Sequence, residues 1–255
     1  MSRREPAMPD LSVKTAAPTT KQTLVTAAYD RLRRDILRGV LRPGARLKLQ
    51  PLGDAYSCGM GPLREALARL VGDNMVDFAD RRGFSVPLIT RKGLTDLLEM
   101  RLMLEDKALR ASIAHGGVEW EVEVMAAFHR LSRVSERRAS DPRVVDENWE
   151  REHAAFHRAL VAGYDFPLLH QFRQIVLAQS DRYRHIYLQY ASKGRDHLVE
   201  HRAIMEAALR RDADRTVELM TKHLQRTVDL LLAAGFAQDG HQARKTVSAP
   251  GKRKA

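Results

Sequence analysis

Four histidines in the second half of the chain have the spacing of metal ligands. His153 and His157 are four residues apart on one predicted helix, so both imidazoles lie on the same face, one turn apart. His201 and His223 belong to two later predicted helices, whose apolar neighbours indicate the same core. Four neutral imidazoles inside a helical bundle would suit a divalent metal ion, Zn²⁺ first, with Ni²⁺ or Mn²⁺ as alternatives. Buried, hydrogen-bonded histidines without a metal remain the alternative interpretation.

Arginines are the second chemical feature of this region. Arg101 precedes Glu105 by one helical turn, and Arg182 adjoins Tyr183 in the segment SDRYRHIY. An arginine on the inner face of a bundle is costly unless an anion pairs with it. A metal ion with open coordination positions beside an arginine would hold a small carboxylate. We therefore predict that Arg101, Arg182 and Tyr183 bind a ligand, with an Arg101–Glu105 pair as the alternative.

A hydrolytic metal centre is a different reading of the same histidines. It would require an open coordination position and a general base. The histidines lack a neighbouring acid in a His-Glu-x-x-His arrangement, and only Glu150 and Glu200 lie nearby. The sequence therefore favours a binding protein, and we predict no enzymatic activity.

The elements that must position these residues are helices. Periodic apolar spacing predicts six of them, and glycines and polar corners separate one from the next. Their expected bounds are 92–115, 120–139, 145–162, 167–190, 196–210 and 213–234. Six antiparallel helices with short connections describe a helical bundle.

The first ninety residues are organised differently, in a pattern typical of DNA binding. After a predicted helix at 23–38, the segment Gln50–Val71 reads as a short helix, a glycine-bearing turn and an amphipathic helix that opens at Pro62. The face of this last helix opposite its apolar stripe carries Arg64 and Arg69. This is the pattern of a helix-turn-helix, whose second helix enters the major groove.

A predicted hairpin follows that helix. The β-rich runs 75–80 and 84–89 are joined by Arg81-Arg82-Gly83, a basic tip that would reach phosphates or a minor groove. The expected fold class is mainly α, with an N-terminal winged helix-turn-helix and a C-terminal all-α antiparallel bundle. We place the parts at 1–21 (disordered tail), 22–89 (winged domain), 90–93 (linker), 94–234 (helical domain) and 235–255 (basic flexible tail).

Charge is distributed in agreement with this division. The net charge is +11; residues 22–90 carry 11 basic and 7 acidic side chains, whereas residues 91–240 carry 23 of each. The last stretch, 241–255, adds five basic side chains and no acidic one. The basic excess thus lies on the predicted DNA-binding part and on the tail, as phosphate binding requires.

Cysteine content and hydropathy bear on the cellular compartment. Cys58 is the single cysteine, so an intramolecular disulfide is impossible and a reducing compartment is expected. The sequence contains neither the apolar region of a signal peptide nor a run of about 20 apolar residues that could span a membrane. We expect a cytoplasmic protein without a membrane partner.

With these motifs, the chain resembles the GntR family of bacterial transcription regulators, in the FadR-like branch whose C-terminal domain is called FCD. In the first domain the resemblance rests on Ile36–Gly39, Pro43–Leu47, Pro62–Leu67 and Arg81–Val86. In the second domain it rests on Arg101 with Glu105, Phe156-His157, Glu200-His201 and Met220–His223. The resemblance implies a homodimeric regulator, expected to be a repressor, that binds a pseudo-palindromic operator in double-stranded DNA under the control of a small carboxylate effector.

We predict that eight residues contact DNA: Gln50, Met60, Gly61, Arg64, Arg69, Arg81, Arg82 and Gly83. The resemblance bears on three of them. Arg64 matches the family's arginine, whereas Met60 and Gly61 stand where the family has an arginine and a threonine.

The family's metal site usually combines one aspartate with three histidines. His157, His201 and His223 match the histidines, and His153 stands at the aspartate position, which makes this site all-histidine. The segments 59–67, 116–121 and 154–157 are most similar to those of a glutarate-responsive member, which implies a dicarboxylate effector such as glutarate. Regulation by the metal ion itself is the alternative.

Overall fold

The computed structural model describes residues 24–190 and 195–233, which form two compact units. The first unit contains residues 24–90 and 181–186, and the second contains the remainder. The tails that we expect at 1–21 and 235–255 lie outside the described residues. Across the described ranges, no helix is both long enough and apolar enough to cross a membrane.

The first unit is a winged helix-turn-helix, as predicted. Its elements are α1 (Leu24–Leu37), β1 (Arg46–Leu47), α2 (Leu49–Tyr56), α3 (Met60–Gly72), β2 (Asp77–Ala79) and β3 (Gly83–Ser85). The three strands are antiparallel in the order β1-β3-β2, and β2 and β3 form the hairpin. Leu63, Leu67 and Leu70 of α3 are fully buried in a core shared with α1 and α2. This packing leaves the other face of α3 exposed.

Two details of the first unit differ from the prediction. Helix α3 begins at Met60 and not at Pro62, because Gly59 takes the extended N-cap conformation and its carbonyl accepts the Leu63 amide. The short strand β1 was not predicted; it exists because Arg46 pairs with Ser85 across the sheet. At the hairpin tip Gly83 has φ +72°, a conformation that glycine adopts without strain.

The second unit is helical. Its elements are α4 (Arg91–His115), α5 (Val118–Ser132), β4 (Arg137–Arg138), β5 (Asp141–Val145), α6 (Glu147–Leu160), α7 (Pro167–Tyr190, of which residues 181–186 group with the first unit), α8 (His197–Leu209) and α9 (Ala213–Ala233). Asp146 and Asp196 cap α6 and α8, since each carboxylate accepts a backbone amide of the first turn. Helix α9 packs against α4 and α8, and α5 packs against α6. Helix α5 also packs against α8. The helices α6, α8 and α9, which carry the four histidines of the predicted metal site, therefore belong to one bundle.

One helix boundary was predicted wrongly. The helix expected at 120–139 ends at Ser132, and residues 137–145 instead form the antiparallel hairpin β4–β5. Beyond Leu131 only Val134 could continue the apolar stripe, and the Ser132 hydroxyl donates to the carbonyl of His129. A helix without a core-facing stripe has little to stabilise it, so the chain turns.

Candidate functional site

The four predicted histidines converge in the core of the second unit. His153 and His157 on α6, His201 on α8 and His223 on α9 are all at most 7% exposed. The Nε2 atom of His157 lies 3.2 Å from the Nε2 atoms of both His153 and His201. One ring nitrogen from each of the four lies within 4.8 Å of the others. We call these four residues the histidine cluster.

Burial keeps His157, His201 and His223 of the histidine cluster neutral. Desolvation, together with the neighbouring imidazoles, lowers the pKa of His157 and of His201 well below the ordinary value. Burial also lowers the pKa of His223, although its hydrogen bond with Glu200 acts in the opposite direction. Neutral imidazole is the form that ligates a metal ion, so these rings are ready to bind at neutral pH.

An outer layer of charged groups orients one ring of the cluster. The Nδ1 atom of His223 lies 2.8 Å from Oε2 of Glu200, which also accepts from Arg195 at 2.6 Å. Burial would raise the pKa of Glu200, but its bonds with His223 and Arg195 lower it far below the usual range. The ionised carboxylate therefore holds the His223 proton on Nδ1 and leaves the Nε2 lone pair available.

A buried ion cluster lies beside the histidines. Glu105 on α4 is 1% exposed, and its Oε2 accepts from Nε of Arg173 on α7 at 3.0 Å. Arg173 also donates to the carbonyl of His157 at 3.1 Å. The Nε atom of Arg101 lies 3.7 Å from Oε1 of Glu105, which is the pairing left open as the alternative. Both guanidinium groups lower the pKa of His157, so positive charge surrounds this part of the core.

The histidine cluster fits a divalent transition metal. Two nitrogens bound to one ion at about 2.0–2.1 Å lie roughly 3.0–3.4 Å apart, and the two measured separations of 3.2 Å fall in that interval. His223 has the carboxylate partner that metal-bound histidines usually have. The Nδ1 atom of His157 departs from this pattern, because it is buried and has no hydrogen-bond partner among the described residues.

A cavity of about 450 Å³ in the second unit borders the cluster. Its lining includes His201, His197, Arg195, Trp149 and Glu136. The Trp149 ring also stacks on His153, with ring centroids 4.6 Å apart. The cavity is a route by which an ion or a small molecule could reach the histidines.

The predicted DNA-binding residues lie on exposed parts of the first unit. Along α3 the exposed residues are Met60, Gly61, Arg64, Glu65, Ala68, Arg69 and Gly72. Arg69 pairs with Glu65 at 2.8 Å, whereas Arg64 makes no hydrogen bond or ion pair with the described part of the chain. Gln50 on α2 is exposed and donates to Asp54 at 3.2 Å. Arg64 is thus the guanidinium of α3 most available to a partner.

A basic cleft lies between α3 and the hairpin. It has a volume of about 800 Å³ and is lined by Arg64 and Ala68 of α3, by Arg82, Gly83, Phe78 and Phe84 of the hairpin, and by Arg46 and Lys48. Arg81 and Arg82 at the hairpin tip are exposed. Arg46 and Lys48 were not predicted from the sequence to lie at the DNA-binding surface, because their position beside the cleft depends on the pairing of β1 with β3.

Arg182 and Tyr183 are the other two residues that the sequence predicts to bind a ligand. They belong to the stretch 181–186, which groups with the first unit. Both are buried, and the guanidinium carbon of Arg182 lies 5.1 Å from the Tyr183 ring centroid. Their role in effector binding stays a prediction.

A winged helix-turn-helix joined to a helical domain with a buried histidine cluster is the architecture of a DNA-binding transcription regulator. Residues 24–86 match the family described as bacterial regulatory proteins, gntR family, and residues 96–226 match the FCD domain. The chain belongs to the GntR family, with a C-terminal FCD domain, and it is a regulator and not an enzyme.

Curated relatives and solved structures agree with this membership. The chain is 35% identical to the uncharacterized HTH-type transcriptional regulator BphR of Paraburkholderia xenovorans, over 84% of this chain and 88% of the relative. It is also 35% identical to the HTH-type transcriptional repressor GlaR of Escherichia coli, over 81% and 94%. E. coli McbR/YncC has the same fold, with a TM-score of 0.67 at 20% identity, over 84% of this chain and 99% of that structure.

Proposed function

We propose that this protein is a repressor that binds a pseudo-palindromic operator as a homodimer and is released by a small organic acid. The observation that carries the proposal is the convergence of four buried imidazoles beside the guanidinium groups of Arg101 and Arg173. GlaR, a relative of similar length, is named a repressor, which supports repression here. Helix α3 and the hairpin tip would contact DNA, with Arg64 reading a guanine or anchoring a phosphate.

The proposed effector site combines a metal ion with Arg101. An ion held by four neutral imidazoles keeps its full charge of +2, and Glu105 pairs with both Arg101 and Arg173 there. The charge of the ion favours an anion, and glutarate or another C4–C6 dicarboxylate is the candidate. The ion would supply Lewis-acid binding of one carboxylate, while Arg101 would pair with an effector carboxylate.

The number of histidines constrains the ion. Four protein ligands complete the tetrahedral shell that Zn²⁺ takes in structural sites. An effector carboxylate can join the metal only if the ion accepts a fifth or sixth ligand, as Ni²⁺ and Mn²⁺ do readily. Zn²⁺ therefore fits a closed site, and Ni²⁺ or Mn²⁺ fits an open one.

The closed arrangement supports a second candidate function, in which the metal ion itself is the signal. A four-histidine site that Zn²⁺ saturates needs no organic acid. In that case Zn²⁺ alone would change operator affinity, whereas in the first case the metal-loaded protein would respond only to the acid.

One experiment separates these functions. Operator binding is measured by fluorescence anisotropy on metal-free protein, then with Zn²⁺, Ni²⁺ or Mn²⁺, each with and without C4–C6 dicarboxylates. Weaker DNA binding only when both metal and acid are present supports the effector site. The variant Arg101→Gln should then lose the response to acid, and Arg110→Gln, an exposed arginine of the same helix α4 that pairs with Asp106 and Asp214, should retain it. A response to metal alone would replace the organic acid by the metal as signal.

A further inference from the structure

Met60 is an exposed apolar side chain at an unusual place. It is the first residue of α3 and 46% exposed, while Leu63, Leu67 and Leu70 of the same helix are fully buried. Core packing therefore does not account for a methionine at this position. The face of α3 that it borders is the one that the helix-turn-helix architecture directs into the major groove.

The sequence neighbours of Met60 have no hydrogen-bonding side chains. They are Gly59, Gly61 and Pro62, and none of them can donate or accept through a side chain. A Cβ added to Gly61 would meet nothing within 4 Å, so this part of the helix surface is open. The first turn of α3 can thus approach a groove closely, with Met60 as its exposed apolar side chain.

The next turn of α3 supplies a charged side chain, that of Arg64. Arg64 lies four residues after Met60, so the two side chains share one side of the helix, one turn apart. Arg64 also lines the basic cleft with Arg46, Lys48 and Arg82, whose charges would hold the phosphate backbone. Double-stranded DNA is therefore the partner that this mixed surface fits.

We propose that Met60 contacts the 5-methyl group of a thymine in the major groove, beside the base or phosphate that Arg64 contacts. In that groove the thymine methyl is the one apolar group that distinguishes the four base pairs, and apolar side chains recognise it. Each half-site would then contain an essential T·A pair next to the contact of Arg64. This inference rests on the proposed DNA-binding role of α3.

The test replaces thymine by deoxyuridine, which pairs identically but lacks the methyl group. Duplexes are first selected from a random library with the full-length protein, and each thymine of the selected half-site is then changed to uracil. Loss of one methyl contact weakens binding by roughly fourfold per half-site, the factor expected from leaving one methyl-sized group in water. Met60→Ala should bind the thymine duplex about as weakly as the wild type binds the uracil duplex, and should no longer distinguish the two.

Matched variants keep the outcomes separate. Leu24→Ala removes another exposed apolar side chain of the first unit, 58% exposed on α1, and should keep the thymine preference. If uracil changes nothing while Arg64→Ala weakens specific binding, the methyl contact is overturned and the DNA-binding role of α3 stands. If the uracil effect persists in Met60→Ala, a residue other than Met60 reads the methyl and the inference is wrong. If no duplex is enriched, the proposed function fails and the inference fails with it.

Discussion

The carboxylate of Glu200 controls which nitrogen of His223 is available. It accepts from Nδ1 at 2.8 Å, and Arg195 and Arg226 pair with it from the other sides. Because Arg195 also donates to the Thr227 hydroxyl and to the His223 carbonyl, the carboxylate is fixed between α8 and α9. Removing the charge of Glu200 should therefore change the affinity of the histidine cluster for a metal ion.

We expect Glu200→Gln to lower metal affinity about 10–100-fold, the usual effect of losing the outer partner of a metal-bound histidine. Competition with a chromophoric chelator measures the affinity. Glu218→Gln on the exposed side of α9 is the control, because Glu218 pairs only with Lys222 and Arg215 among the described residues and should leave affinity unchanged. Equal affinity of Glu200→Gln and wild type would remove the assigned role of Glu200.

The convergence of the four histidines could be predicted from the sequence, whereas the partners of the surrounding charged residues could not. His153 and His157 are related by a local helical spacing, and His201 and His223 each follow from a helix pattern. The partner of Glu200 lies 23 residues away on α9, and that of Glu105 lies 68 residues away on α7. Such contacts depend on helix packing, which apolar periodicity does not determine.

One partly buried hydrogen bond joins the helix-turn-helix to α1. The Tyr56 hydroxyl at the end of α2 donates to Asp35 of α1 at 2.5 Å, and the guanidinium carbon of Arg31 lies 4.2 Å from the centroid of its ring. Burial, and then the bond with Asp35, raises the pKa of Tyr56 well above its ordinary range. The folded state therefore holds this proton more tightly than the unfolded chain does.

This difference makes the stability of the first unit depend on pH in the alkaline range. The stabilisation is complete below the unfolded pKa of 10.0 and is lost as pH rises above it towards the higher folded value. We expect Tyr56→Phe to lose about 1 kcal/mol near pH 7 and to show a shallower decline above pH 10 than wild type. Urea unfolding followed by circular dichroism measures both, and Tyr164→Phe on the second unit is the control. A decline as steep as that of wild type would exclude Tyr56 as its source.

Helices were predictable elements and short strands were not. The six helices of the second unit begin and end near glycines and polar corners that the sequence displays. Strand β1 has two residues and no alternation, and it forms only through pairing with β3, about 38 residues later. The hairpin β4–β5 likewise replaces helix where the apolar stripe stops.

The unfolding of the two units can be measured with different spectroscopic signals. The chain has two tryptophans, Trp120 and Trp149, and both lie in the second unit. Tryptophan fluorescence therefore reports on the second unit alone, while far-UV circular dichroism reports on both.

A bound metal should stabilise only the unit that holds it. At a free metal concentration of 100 times Kd the expected gain is about 2.7 kcal/mol. We expect Ni²⁺ or Zn²⁺ to raise the melting temperature detected by fluorescence, and a chelator to reverse it. His201→Asn should abolish the shift, and His129→Asn, an exposed histidine of α5, should retain it. An equal shift in both variants would place the ion away from the histidine cluster.

The proposed binding of the operator as a homodimer requires a surface that a second copy can cover. Helix α7 exposes Leu168, Phe172 and Ile175, with 58%, 53% and 43% of their surfaces accessible. Their spacing of i, i+4 and i+7 makes one continuous apolar stripe along the helix. Stripes of this kind are stable when they meet another apolar face.

In a two-fold dimer, a charged residue introduced into that stripe would destabilise the contact between the two copies. In a two-fold dimer the same patch is used by both copies, so a residue near the axis faces its own counterpart. Phe172→Glu would then bury two carboxylates close together, and we expect it to convert the dimer to a monomer at micromolar concentration. Analytical ultracentrifugation measures the mass, and operator affinity should fall with it, because a monomer contacts one half-site. Val199→Glu, which changes a 60% exposed apolar side chain on α8, is the control and should remain dimeric. A dimeric Phe172→Glu protein with wild-type operator affinity would place the dimer contact on another face.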